Sequence, residues 1–253
     1  MIDVPFLTEE QIEARSDALL EAFGRDREPS LVPPVPVEDR LLFHLGLRLH
    51  MDDLHARFSV PRTAGRVDIL AALWIEDREI RIDESLDPEL NPAMEGRYYF
   101  SIGHEIGHWE LHRRQILAAL TEPVLLVQPE STVVCRNEDV QLRLPKKPDV
   151  RARMEQQANK FSACLLMPRF LVQAAWLVRF NSLTPVFVED RTRSAPELRL
   201  LLSVAGTTRP GPALAMPITR QTLEDFITDI ASEFRTSRQA MRIRLQNLGL
   251  ICP

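Results

Sequence analysis

His104, Glu105 and His108 stand in the run His-Glu-Ile-Gly-His, two imidazoles four residues apart with a carboxylate beside the first. On an α-helix, residues at that spacing lie about 6 Å apart along the axis and about 40° apart in azimuth, so both rings can reach one ion from the same face. A zinc ion held there lowers the pKa of an adjacent water to about 7, and Glu105 is placed to take its proton as a carbonyl is attacked. The pattern fixes only three positions, so the competing view is a chance match on an ordinary helix. Its surroundings weigh against chance. Phe100, Ile102 and Ile106 supply apolar contacts, while Gly103 and Gly107 permit close approach of a neighbouring element.

A catalytic zinc commonly has three protein ligands and leaves a fourth position open. His112 continues the four-residue ladder, but on a straight helix it lies about 12 Å along the axis from His104, too far to share an ion. Position 114 is Arg, and no histidine follows His112. The third ligand must therefore come from another element, and a carboxylate is the natural choice. Glu155 opens a segment, MEQQANKFSACLLMP, whose Ala158, Phe161, Ala163, Leu165 and Leu166 are mostly apolar. A solvated acid in a first helical turn is an equally available account of Glu155. For the developing oxyanion, donors are sought near the ion. The two tyrosines, Tyr98 and Tyr99, and His112 are candidates, although aromatic residues so placed more often belong to a core. Cys135, Cys164 and Cys252 form no close pair and read as small buried hydrophobes, not as a second metal centre.

The run HEIGHWELH at 104–112, followed by E-x-x-A-N-x-F-x-A-x-L-L-M-P at 155–168, resembles the ImmA/IrrE family of bacterial metallopeptidases. The resemblance covers about residues 66–180. It implies a gluzincin-like site with one Zn2+, or another divalent metal, held by His104, His108 and Glu155, and with Glu105 as general base. Asn159, one turn after Glu155, becomes a partner for the ligands. Site-specific cleavage of a regulatory protein, such as a transcriptional repressor or an antitoxin, is the implied activity. The chain departs from the simplest members in the spacing of the two motifs, which residues 115–150 enlarge. Cys135-Arg136 within that stretch resembles a variant associated with the family. This departure bears on substrate range more than on the metal.

Mixed structure is predicted around the site. Residues 8–24 place Ile12, Ala14, Leu19, Leu20 and Phe23 roughly on one helical face, opening at Thr8 with Glu9 and Glu10 in the first turn. Four prolines in residues 27–39 predict an extended linker, and a short helix over 38–46 ends near Gly46. Residues 66–84 read as two strands around Glu76-Asp77-Arg78, with Ile80 and Ile82 alternating with charges. A long helix starts at about Tyr98. Pro123, Pro129, Pro145 and Pro148 make 115–150 an insertion with little helix. Helix returns at 151–166, stops near Met167-Pro168 and resumes to about Phe180. A stretch rich in proline and arginine, 182–217, precedes helices at 219–234 and 237–247, the last with Ser237 as N-cap.

The expected fold is thus α+β: a small β-sheet packed on a helical zinc-peptidase core, followed by C-terminal helices of helix-turn-helix type. Residues 1–36 form an N-terminal helix and proline-rich linker, 37–181 the metallopeptidase domain with its insertion, and 182–253 the arginine-rich loop and C-terminal pair. That pair admits two views. Arg238, Arg242 and Arg244 could face DNA or an acidic protein, or Phe234, Met241, Leu245 and Leu248 could pack the pair onto the core and leave the arginines solvated. Packing is favoured, because 36 acidic against 31 basic residues give a net charge of −5 that repels phosphates overall. A protein substrate is therefore the expected partner, with DNA less favoured. The alternative class is a DNA-binding or interaction regulator with a structural or vestigial metal site. The opening residues show no basic region followed by an apolar stretch, and no run approaches the ~18 apolar residues of a membrane span. A cytoplasmic protein is expected.

Overall fold

The structure is a computed structural model that describes residues 4–24, 31–62, 69–121, 132–136, 150–188 and 216–252. Its architecture is α+β. The first helix, α1 (Glu9–Gly24), begins where Thr8 and Gln11 cap each other: Thr8 N donates to Gln11 Oε1 at 2.9 Å and Gln11 N to Thr8 Oγ1 at 3.3 Å. Ile12, Leu19, Leu20 and Phe23 are buried as their spacing predicts, whereas Ala14 is exposed and Glu13 and Ser16 share the buried face. A π-helical turn, Val37–Leu41, runs into α2 (Leu42–Leu45), which Gly46 closes with φ of 65°, a left-handed conformation that glycine adopts without strain.

The described residues fall into two compact units, Met1–Pro168 and Arg169–Pro253. In the first, β1 (Arg48–Asp52), β2 (Ile69–Trp74), β3 (Glu79–Asp83) and β4 (Thr132–Arg136) make one sheet in the order β1-β3-β2-β4. The β2–β3 hairpin is antiparallel, as expected, with Ala71 opposite Ile82 and Leu73 opposite Ile80. β1 joins in parallel and β4 in antiparallel register. The sequence pattern predicts neither flanking strand. β1 is mostly exposed and lacks an apolar alternation, and β4 lies inside the stretch expected to be an irregular insertion. Ile69 to Leu73 are all buried, so the centre of the sheet has no solvent face. Short α3 (Leu54–Arg57) packs beside it, and Leu54, Ile69 and Ala72 form a cluster there with Phe58, Val60 and Trp74.

Two long helices lie with this sheet. α4 (Glu95–Thr121) starts three residues before Tyr98 and continues past residue 115, so helix enters the predicted insertion. α5 (Val150–Leu166) ends at Met167-Pro168, where the proline stops it as expected. In the second unit, α6 (Arg169–Phe180) carries Trp176, fully buried with its ring 4.4 Å from Phe180 and 5.4 Å from Phe226. Strands β5 (Val186–Val188) and β6 (Met216–Ile218) pair in parallel. Helices α7 (Arg220–Glu233) and α8 (Arg238–Asn247) follow, each with a hydroxyl N-cap: Thr219 accepts from Thr222 N and Ser237 from Ala240 N, both at 3.1 Å. No single helix among the described residues is long and apolar enough to cross a membrane. Most of the proline- and arginine-rich stretch 182–217 lies outside the described residues.

Candidate metal centre

The site is made where α4 and α5 approach closely enough for backbone contact. A Cβ built on Gly107 would sit 3.0 Å from Ala158 Cα and 3.1 Å from its carbonyl oxygen, and one on Gly103 only 2.5 Å from Ser162 Oγ. Glycine at both positions is therefore a packing requirement, as the sequence suggests. Ser162 Oγ donates to the Phe100 carbonyl at 2.9 Å and is itself fully buried. Gly103 meets Ser162 while Gly107 meets Ala158, so the helices run antiparallel. That register, with one turn of α4 between the histidines, brings His104 and His108 against the face of α5 that carries Glu155 and Asn159.

His104 Nε2 lies 3.1 Å from Glu155 Oε2 and 3.0 Å from His108 Nε2, and His108 Nε2 lies 3.4 Å from the same carboxylate oxygen. A zinc ion with bonds of about 2.0–2.1 Å and tetrahedral angles holds its ligand atoms about 3.3–3.4 Å apart. The three atoms are within a few tenths of an ångström of that arrangement, and the donor set of two imidazoles and one carboxylate suits a zinc-class ion. His104, His108 and Glu155 are all buried and together could hold a metal ion. Glu155 is not a solvated first-turn acid. The helix starts five residues earlier, at Val150, and Glu155 lies on its face towards His104 and His108, at 5% exposure.

Burial shifts the charges here. It pushes His108 below the ordinary imidazole value, with the Glu155 carboxylate opposing it. It would raise Glu155, but His108 and His104 beside the carboxyl draw it well below the usual carboxylate range. His112 is pushed down to about 3, first by burial and then by His108. Two imidazoles and an ionised carboxylate converging in a buried place are a donor set suited to a cation. Glu105, next to His104, is fully buried.

The other expected residues have definite places. Asn159 Oδ1 lies 2.8 Å from His104 Nδ1 and can only accept, so this ring nitrogen donates. In the neutral ring that leaves Nε2 unprotonated towards Glu155, the role a ligand's partner should have. His112 is outside the metal triad, as helix geometry requires, and its Nδ1 is 3.1 Å from His108 Nδ1. Tyr98 and Tyr99 donate from their hydroxyls to Glu38, at 2.7 and 3.2 Å, and burial followed by Glu38 raises the Tyr98 phenol's pKa. Two residues that shape the site carry no signal in the sequence. Gln157 accepts from His112 and is 3% exposed, and Ser162 packs against Gly103; both depend on the α4–α5 register. Cys164 is buried as expected, whereas Cys252 is partly exposed.

No protein-family model matches the chain, and no curated protein matches it in sequence. Among solved structures, a Mycobacterium tuberculosis transcriptional regulator aligns with 95% of this chain and 52% of its own, so the match spans about half of that protein. The identity is 14% and the TM-score 0.41. A likeness of that size establishes neither a shared fold nor a shared activity.

Proposed function

We propose that the chain is a zinc-dependent endopeptidase of the ImmA/IrrE type, cleaving a regulatory protein such as a transcriptional repressor or an antitoxin at a specific site. The observation that carries the proposal is the convergence of His104 Nε2, His108 Nε2 and Glu155 Oε2 at 3.0–3.4 Å, with Glu105 buried beside the first of them. The ion would be held by those three side chains and supply Lewis acidity, polarising a peptide carbonyl and making a neighbouring water more acidic. Glu105 takes the water's proton as it attacks and returns it to the departing amine. Asn159 keeps His104 turned to the site. A metal of purely structural role calls for a fourth protein ligand in place of a base, and the sequence offers Glu105 instead. The regulatory class of substrate rests on the resemblance of the two motifs. The C-terminal pair α7/α8 is assigned to positioning that substrate.

Metal content and peptide hydrolysis, measured together, test the assignment. His104→Ala and His108→Ala should lose stoichiometric zinc. Glu105→Gln should keep it and lose hydrolysis, by the 10²–10⁴-fold, roughly, that a general base contributes. Equal loss of metal in all three variants would remove the distinct roles given to them.

A further inference from the structure

We propose that Gln157, acting through His112, selects which nitrogen of His108 carries the ring proton and so leaves Nε2 bare towards the metal site, and that the backbone carbonyl of Pro5 sets Gln157. The inference rests on the metal assignment above and concerns residues one and two steps away from it. Gln157 Nε2 donates to Pro5 O at 2.9 Å, which fixes the amide's orientation and turns Oε1 to His112 Nε2, also at 2.9 Å. An amide oxygen can only accept, so His112 carries its proton on Nε2. A neutral imidazole has one ring proton, so His112 Nδ1 is then an acceptor. The partner 3.1 Å away, His108 Nδ1, must donate to it. His108 in turn has no proton on Nε2, the atom 3.0 Å from His104 Nε2 and 3.4 Å from Glu155 Oε2.

The same logic runs in reverse if the amide turns over. Gln157 would present its NH₂ to His112, move that ring's proton to Nδ1, and force His108 to carry its own proton on Nε2. That proton would point into the site and block the lone pair a metal needs. Burial makes the relay rigid: His108 and His112 are fully buried and Gln157 is 3% exposed, so water cannot substitute for a missing partner. The outer end is anchored as well. Arg153 Nη1 donates to Val4 O at 2.7 Å, holding the segment that presents the Pro5 carbonyl. Gln157 and His112 are positioning residues, since they act on the site only through His108.

Two readouts on the full chain test the proposal: zinc affinity by competition with a chromogenic chelator, and ring-nitrogen NMR correlations that assign the histidine tautomers. The wild-type chain should show His112 protonated on Nε2 and His108 on Nδ1. Gln157→Leu, which removes the acceptor, should weaken zinc about 10–100-fold, the usual effect of losing an outer partner of a metal ligand. Gln157→Glu keeps an acceptor towards His112 and, with its carboxyl protonated by burial, a donor towards the Pro5 carbonyl, so it should retain both tautomers and tight zinc. Unchanged affinity in folded Gln157→Leu, or His112 protonated on Nδ1 in the wild type, overturns the relay. If Gln157→Leu does not fold, Gln157→Glu decides, because altered tautomers there also overturn it. A wild-type chain that binds no zinc defeats the metal assignment, and the tautomers of the metal-free chain still decide the relay separately.

Discussion

Between α4 and α5 Gly103 and Gly107 leave no room for a methyl, and the groups beside them are imidazoles, a carboxylate, two amides and a hydroxyl, all buried. The pair α7 and α8 and the turn between them bury mostly apolar side chains, Leu223, Phe226, Ile227, Ile230, Phe234, Met241 and Leu245, and an ion pair, Arg242 to Glu224 at 2.5 Å, lies partly exposed beside them. Apolar contacts are non-directional and tolerate small displacements, whereas a buried polar group that loses its partner costs about 1–3 kcal/mol. The first pair is therefore organised for geometry and the second for cohesion. Changes in the two should separate metal affinity from stability.

The largest separation is expected at Glu155. Its change to alanine removes one of three atoms that converge within 3.4 Å, and zinc affinity should fall more than the 10–100-fold, roughly, that follows loss of an outer partner. Glu89→Ala, at an exposed position, provides the control and should leave affinity alone. Stoichiometric zinc at unchanged affinity in Glu155→Ala would refute the assignment of Glu155. Met241→Ala is the counterpart in the second pair. Its side chain is fully buried, so truncation should cost about 2–5 kcal/mol in denaturant unfolding. The folded fraction should still bind one zinc per chain. A parallel loss of zinc affinity in that fraction would break the contrast.

Gly107→Ala combines the two effects. The new methyl would have to displace Ala158 backbone at 3.0 Å, a cost of about 1–3 kcal/mol that exceeds the roughly 1 kcal/mol alanine gains over glycine in a helix. Because α5 carries Glu155, separating the helices should weaken zinc binding too. Thermal unfolding and chelator competition on the same preparation check this. A variant more stable than the wild type, with full affinity, would show that the close approach is not what sets the site.

What the sequence makes legible follows from the range of each interaction. The two histidines and Glu105 are related by helix geometry alone, so their spacing is informative without any knowledge of packing. Glu155 is ambiguous in isolation because its burial depends on which face of α5 meets α4, and α5 alone does not specify that face. Gln157 and Ser162 depend on the α4–α5 register, a property of two segments and not of either. Proximity along the chain makes Tyr98 and Tyr99 candidates for oxyanion donors. Their hydroxyls are instead held by Glu38, some sixty residues earlier. Strands β1, β5 and β6 are short and pair in parallel with segments distant in sequence, where local alternation is a poor guide. Periodicity and the Met167-Pro168 pair place α1, the turn between β2 and β3, the helix break and both C-terminal helices within one or two residues, apart from the substitution of Glu13 and Ser16 for Ala14 on the buried face of α1.

The smallest effects are expected at the arginines of α8, which the structure does not treat alike. Arg244 is buried at 6% exposure, so its removal would disturb packing and confuse any test of binding. Arg242 is engaged with Glu224, and Arg238 at the first turn is exposed. The informative change is therefore Arg238→Ala with Arg242→Ala, leaving Arg244 in place. An exposed ion pair contributes about 0–1 kcal/mol, so stability should move by only a few tenths. If α8 serves to pack and to position a protein substrate, duplex DNA should bind weakly from about 50 to 200 mM salt, and the double change should not alter it. Phosphate contacts behave differently: affinity falls steeply with salt, and each contact removed lowers the slope by nearly one. A steep slope in the wild type that the double variant flattens by about two would assign DNA to this surface. The contrast between the helix pairs would then change meaning, because the second would carry a binding site of its own along with the cohesion its apolar face supplies.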